Sequence, residues 1–180
     1  MNILTLDFQQ DYFRLFNLPS IFQIDSASLE RSFLALQAQV HPDKFAHLSE
    51  AERRLSMQWA TRVNEGYQTL RNPQSRARYL LSLHGVDTQE ESNTAMPTDF
   101  LMQQMEWREA LEAARQAKDD AALEELEQRM QHEVRNLQQQ LAVAMDETRD
   151  YTAASGIVRK LRFLEKLAEE IGSAFDELDS

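Results

Sequence analysis

Leu123, Leu126, Met130, Val134, Leu137 and Leu141 follow one another at steps of three and four residues. That is the period of one buried helix face, and it persists for longer than any strand runs. Ile157, Leu161, Leu164, Ile171, Phe175 and Leu178 repeat the pattern downstream, and Phe100, Trp107, Leu111 and Ala114 repeat it upstream. Only four glycines and four prolines punctuate the 180 residues, too few turns for a many-stranded fold. An all-α protein is therefore expected. Cysteine is absent, which excludes disulfides and thiolate metal sites and fits a reducing compartment.

From Pro97 the chain reads as helix to about Ala117, a break at Lys118-Asp119-Asp120, a long helix to about Arg149, and a last one from Thr152 to Leu178. Short connections favour an antiparallel three-helix bundle over residues 97–178. The heptad-like stripes leave a coiled-coil homodimer as the competing arrangement. The first half is differently built. Residues 1–10 read as an extension, and Asp11 to Pro19 as a short apolar helix. Asp25 is placed to cap a helix whose stripe is Leu29, Phe33, Leu36 and Val40. Ser49 and Glu52 stand at capping-box spacing before a stripe of Ala60, Val63, Tyr67 and Leu70. Asn72-Pro73 opens a fourth helix and Gly85 ends it. The polar, acidic residues 86–96 read as a linker.

The second and third helices should lie antiparallel, with His41-Pro42-Asp43-Lys44 at their turn. Pro42 ends the second helix because its ring clashes with the preceding turn and it has no N–H to offer. It also drives His41 out of the α region. An imidazole, a carboxylate and an ammonium are thus presented together on one loop, where binding and catalytic groups are commonly carried. His41 oriented by Asp43 could act as a general base. No serine or cysteine nucleophile motif, Gly-rich phosphate loop or oxyanion motif accompanies the pair, which leaves a hydrolase as a minor alternative. His41 and His47 lack the further ligands that a metal site needs.

Charge divides the chain. Residues 1–85 hold nine Lys/Arg and eight Asp/Glu, whereas residues 86–180 hold ten and twenty-two. Two modules with different partners would account for that split. The acidic half argues against nucleic acid, whose phosphates would repel it. The opening MNILTLDFQQ has no basic region and only a short apolar run, and nowhere does an apolar run reach membrane-spanning length. A soluble cytoplasmic protein is expected. On the first bundle helix, Leu101, Met102 and Met105 point away from the core stripe and are bordered by Glu106 and Glu109. An exposed apolar patch rimmed by acids marks a partner surface, and methionines suit adaptable ones. Phe163 likewise lies off the stripe of the last helix.

The order DYFRLFNLP, a helix, His41-Pro42-Asp43-Lys44-Phe45, then Asn64-Glu65-x-Tyr67-x-x-Leu70 and Pro73-x-x-Arg76-x-x-Tyr79 resembles a J-domain. Tyr79-Leu80-Leu81-Ser82-Leu83-His84-Gly85, Phe100-Leu101-Met102 and Val158-Arg159-Lys160-Leu161-Arg162-Phe163-Leu164 narrow the likeness to HscB-type co-chaperones of iron-sulfur cluster assembly. The resemblance covers about residues 11–178. It implies a J-domain over 11–85 that docks on a DnaK/HscA-type chaperone and accelerates its ATP hydrolysis through His41, Pro42, Asp43, Lys44 and Arg31. It also implies that the bundle holds an IscU-type cluster scaffold protein through Leu101, Met102, Met105, Glu106, Glu109 and Phe163. The protein would then be an adaptor without covalent chemistry or cofactor of its own, a monomer or weak dimer. A J-domain protein for unfolded clients is the nearest rival, but the chain has neither a Gly-rich segment nor a cysteine zinc module. The sequence departs from the family at four kinds of position. Gln37 and Gln39 stand where basic residues are frequent, Val40 for a frequent Tyr, Gly66 for a frequent Ala, and Ala113 for an acid.

Overall fold

The computed structural model describes residues 7–41, 49–89 and 96–178. Among these residues all regular structure is helical, and the fold is all-α. The chain forms two compact units whose boundary lies between Leu80 and Leu81.

In the first unit, α1 (Tyr12–Leu15), α2 (Ser26–Val40), α3 (Glu50–Arg71) and the start of α4 (Pro73–Leu83) enclose one core. Each start is capped as its residues require. Asp25 accepts from the amides of Ala27 and Ser28, and Ser49 and Glu52 close a capping box. Asn72 accepts from Gln74 and Ser75, with Pro73 as the first residue of α4. The α2–α3 hairpin is antiparallel. At one end the Ser56 hydroxyl donates to the Val40 carbonyl at 2.7 Å. At the other the Phe33 and Tyr67 rings stack at 4.0 Å and the Tyr67 hydroxyl donates to Glu30.

The buried stripe of α3 is Ser56, Trp59, Val63, Gly66, Tyr67 and Leu70, with Ala60 only at its border. Gly66 has a steric reason. A Cβ there would stand 2.8 Å from Tyr12 Cδ1 and 3.0 Å from Phe16 Cε2, so α1 lies where an alanine methyl would be. The J-domain-like residues of α4 are tertiary staples. Arg76, 8% exposed, donates to the Leu70 carbonyl and lies over the Phe22 ring, and the Tyr79 hydroxyl accepts the Tyr12 N–H at 3.0 Å. Burial pushes the Tyr79 phenol up from its ordinary value. Of the stretch read as an extension, residues 1–6 lie outside the described residues. Phe8 meets Trp59 edge-on, and Arg62 of α3 lies over Phe8 while donating to the Gln10 carbonyl. Phe8, still 43% exposed, and the Gln10 carbonyl are therefore tied to α3.

In the second unit, α5 (Thr98–Ala117), α6 (Asp120–Ala142) and α7 (Tyr151–Leu178) pack pairwise. The α5–α6 corner turns at Lys118, held at φ +51°, with Asp119 capping α6 through the Ala122 amide. A turn this short makes the two helices antiparallel. Arg108 pairs with Glu170 and Arg115 with Glu177, so α5 runs parallel to the C-terminal part of α7. The bundle is made within one chain.

Two details differ from the sequence reading. The long helix leaves α geometry at Ala142, and Val143–Glu147 form a π-helical turn before α7. On α7 the buried centre runs through Ala154, Val158, Leu161, Leu164, Leu167, Ile171 and Ala174, while Ile157, Phe175 and Leu178 are half-buried at its border. A helix packed against two neighbours needs a wider apolar face than a single row, and small residues can occupy part of its centre. Of residues 86–96, Thr88 is buried, and Arg159 of α7 donates to its carbonyl. Residues 90–95 lie outside the described residues.

Candidate functional site

The first candidate surface begins where α2 ends. The last carbonyls of a helix lack intrahelical donors. Ser56, wholly buried, supplies one to Val40 and so ties the end of α2 to α3. His41 follows as the exposed C-cap, at φ −59° and ψ 126°, the extended conformation expected of a residue before proline. Pro42, Asp43 and Lys44, and His47 with them, lie outside the described residues.

The outer side of α2, opposite Leu29, Leu36 and Val40, carries Arg31, Leu34, Ala35 and Ala38, all exposed. Arg31 donates to the Ser28 hydroxyl at 2.8 Å and stands 3.6 Å from Asp25, at the far end of the helix from His41. The Ser28 hydroxyl and the Ala27 amide hold the Asp25 carboxyl below its usual range. This face therefore carries a single guanidinium, and its most exposed large apolar side chain is Leu34, at 54%.

The second candidate surface is the outer side of α5. Phe100, Gln104, Trp107, Leu111 and Ala114 face the bundle core. Leu101, Met102 and Met105 face away, at 41%, 58% and 63% exposure, with Glu106 and Glu109 exposed one turn on. Ala113, also exposed, extends the same side without a charge. Phe163 reaches α5 from α7, half-buried and edge-on to Phe100 at 6.4 Å, and Lys160 lies 5.3 Å above the Phe100 ring. The structure thus joins Phe163 to the N-terminal end of α5, beside Leu101 and Met102 in sequence.

Two residues near these surfaces escaped the sequence reading. Ser56 sits three residues before Trp59 on the α3 stripe, and a serine at a core position was its only signal. Gln104 sits between Phe100 and Trp107 on the α5 stripe, 5% exposed, with no hydrogen-bond partner for its amide among the described residues. Among those residues no group of three or more His, Cys, Asp or Glu is arranged to hold a metal ion.

A helical hairpin leading into a His-Pro-Asp sequence, followed by a separate bundle with an apolar outer face, defines a J-domain protein with an appended helical module. Comparison with known proteins narrows that class. A family model described as the HSCB C-terminal oligomerisation domain matches residues 96–172. The chain is 57% identical over 172 residues to the co-chaperone protein HscB homolog of Chromobacterium violaceum, covering 96% of this chain and 97% of that relative. The solved structure of chaperone HscB from Vibrio cholerae is similar at 38% identity and a TM-score of 0.83, over 94% of this chain and 99% of that one. The human co-chaperone protein HscB gives 34% and 0.87, over 93% and 83%. The chain belongs to the HscB family of co-chaperones. Its role is that of a co-chaperone in iron-sulfur cluster assembly, working with a DnaK-type chaperone.

Proposed function

We infer that the two surfaces hold two different partners at once. Residues 11–85 act as the J-domain and residues 97–178 as the scaffold-binding domain, with 86–96 between them. His41, Pro42, Asp43 and Lys44, with Arg31 along α2, meet the ATPase of an HscA-type chaperone. Asp43 offers a charge-assisted bond to a basic group there, and His41 a hydrogen bond near neutral pH. Leu101, Met102, Met105, Glu106, Glu109 and Phe163 hold an IscU-type scaffold protein and bring it to that chaperone. The protein makes and breaks no covalent bond itself and needs no cofactor. Its binding shifts the partner's conformational equilibrium toward hydrolysis. It acts in the cytoplasm as a monomer or weak dimer, away from nucleic acid and membrane. In support, no helix among the described residues is long and apolar enough to cross a membrane, and the second half of the chain is acidic.

The observation that carries this reading is the exposure of Leu101, Met102 and Met105 on a helix whose opposite side already fills the core. Fully burying such a side chain contributes roughly 1.5–3 kcal/mol, so covering three half-exposed ones supplies a substantial part of a binding energy. Calorimetric titration with the scaffold tests it. Met105→Ala combined with Phe163→Ala should weaken binding by about tenfold or more while helicity is kept. Unchanged affinity would remove the scaffold from this face.

A further inference from the structure

We propose that Met102 and Met105 are an oxidative modification site, and that converting their thioethers to sulfoxides releases the scaffold. The inference rests on the assignment of that face to the scaffold.

Among the described methionines, Met130 and Met145 are buried at 5% and 4% exposure, whereas Met57 on α3 exposes 61% and Met102 and Met105 on α5 expose 58% and 63%. Oxidation of methionine follows access to its sulfur. Of these three exposed thioethers, the two on α5 are three residues apart, neighbours on the helix surface. In the reaction a sulfur lone pair attacks one oxygen of hydrogen peroxide. The S–O bond forms as the O–O bond breaks, sulfur loses two electrons, and the remaining oxygen leaves as water. The product is a polar side chain where a flexible apolar one stood.

Its S=O dipole must shed water to enter an apolar contact, and it gains nothing there unless the partner supplies a donor. The local charge adds to the penalty. Glu106 stands four residues after Met102, and Glu109 four after Met105, which places each carboxylate beside a sulfur on the helix surface. The partially negative sulfoxide oxygen then faces a negative neighbour. Peroxides also attack iron-sulfur clusters, so delivery would stop under the oxidant that threatens the cargo.

The test treats the full chain with hydrogen peroxide, maps sulfoxides by peptide mass spectrometry and titrates the scaffold calorimetrically. Met102→Leu with Met105→Leu keeps size and apolarity but cannot be oxidised. Met102 and Met105 should oxidise ahead of Met130 and Met145. Scaffold affinity should then fall by about tenfold or more, and methionine sulfoxide reductases should restore it. The double leucine variant, measured against its own untreated affinity, should show no change after peroxide, although Met57, 61% exposed, remains oxidisable in it. The proposal is overturned if wild-type protein with both sulfoxides binds unchanged. It is equally overturned if the treated leucine variant loses affinity as wild type does, or if the buried methionines oxidise as fast. Met105→Ala with Phe163→Ala separates the two levels. Undiminished binding there rejects the scaffold face itself, while weakened binding beside an inert sulfoxide rejects only the modification.

Discussion

The two units solve the problem of holding helices together with different chemistry. In the first, helices are tied across the fold by polar side chains: Ser56 to Val40, Tyr67 to Glu30, Arg76 to Leu70, Tyr79 to Tyr12 and Arg62 to Gln10. In the second, helices of 20, 23 and 28 residues pack chiefly through leucine, alanine, methionine and isoleucine, with the Arg108–Glu170 pair exposed and the half-buried Arg115 meeting Glu177 and the Glu170 carbonyl. Directional bonds fix where a helix ends. Apolar area tolerates adjustment and leaves a surface free to adapt. The contrast suits a J-domain, whose few loop groups must be aimed, and a bundle that offers an apolar face of moderate area.

The most severe way to break the comparison is to remove the core of one unit alone. Trp59 is 1% exposed, and Trp59→Ala should destabilise the first unit by about 3–5 kcal/mol. Chaperone stimulation should be lost at temperatures where scaffold titration still gives the wild-type affinity. A parallel fall in both would mean that the units do not act separately.

A sharper probe is Ser56→Ala, which deprives the Val40 carbonyl of its donor in a buried setting. A loss of about 1–3 kcal/mol in denaturant unfolding is expected. Because the bond lies one residue before His41, maximal chaperone stimulation should also drop. Unaltered stimulation at full folding would mean that the end of α2 does not aim the loop.

The smallest effect is one of pH. The carboxylate of Glu30 raises the Tyr67 phenol, and burial raises that of Tyr79. A group raised on folding stabilises the fold below its unfolded value, about 10 for tyrosine, and this contribution fades as pH climbs through the higher folded value. The thermal stability of the first unit should therefore fall above about pH 10, and Tyr67→Phe should flatten that dependence.

Much of this was legible in the residues. Caps are local chemistry, and Asp25, Ser49 with Glu52, Asn72 with Pro73, and Gly85 begin or end helices where their side chains or backbones dictate. The α6 stripe also came through, with Val134 half-buried and the rest buried. What stayed hidden depends on partners distant in sequence. Gly66 reads as a weak point in a helix until Tyr12 and Phe16 occupy its missing methyl. Ser56 carries no role in the sequence until the Val40 carbonyl comes within reach of its hydroxyl. The centre of α7 moved because two neighbours, rather than one, decide which residues are covered. On α5, periodicity alone showed which side chains would be left over, and Leu101, Met102 and Met105 are exposed.

The central claim is an aimed J-domain loop coupled to a scaffold-holding face. Its most direct test is single-turnover ATP hydrolysis by the cell's DnaK-type chaperones, with wild-type protein or Asp43→Asn, each with and without scaffold. The account predicts stimulation of one chaperone that rises further with scaffold and disappears in the correctly folded Asp43→Asn variant. Equal stimulation by that variant, or no stimulation of any chaperone, would contradict it.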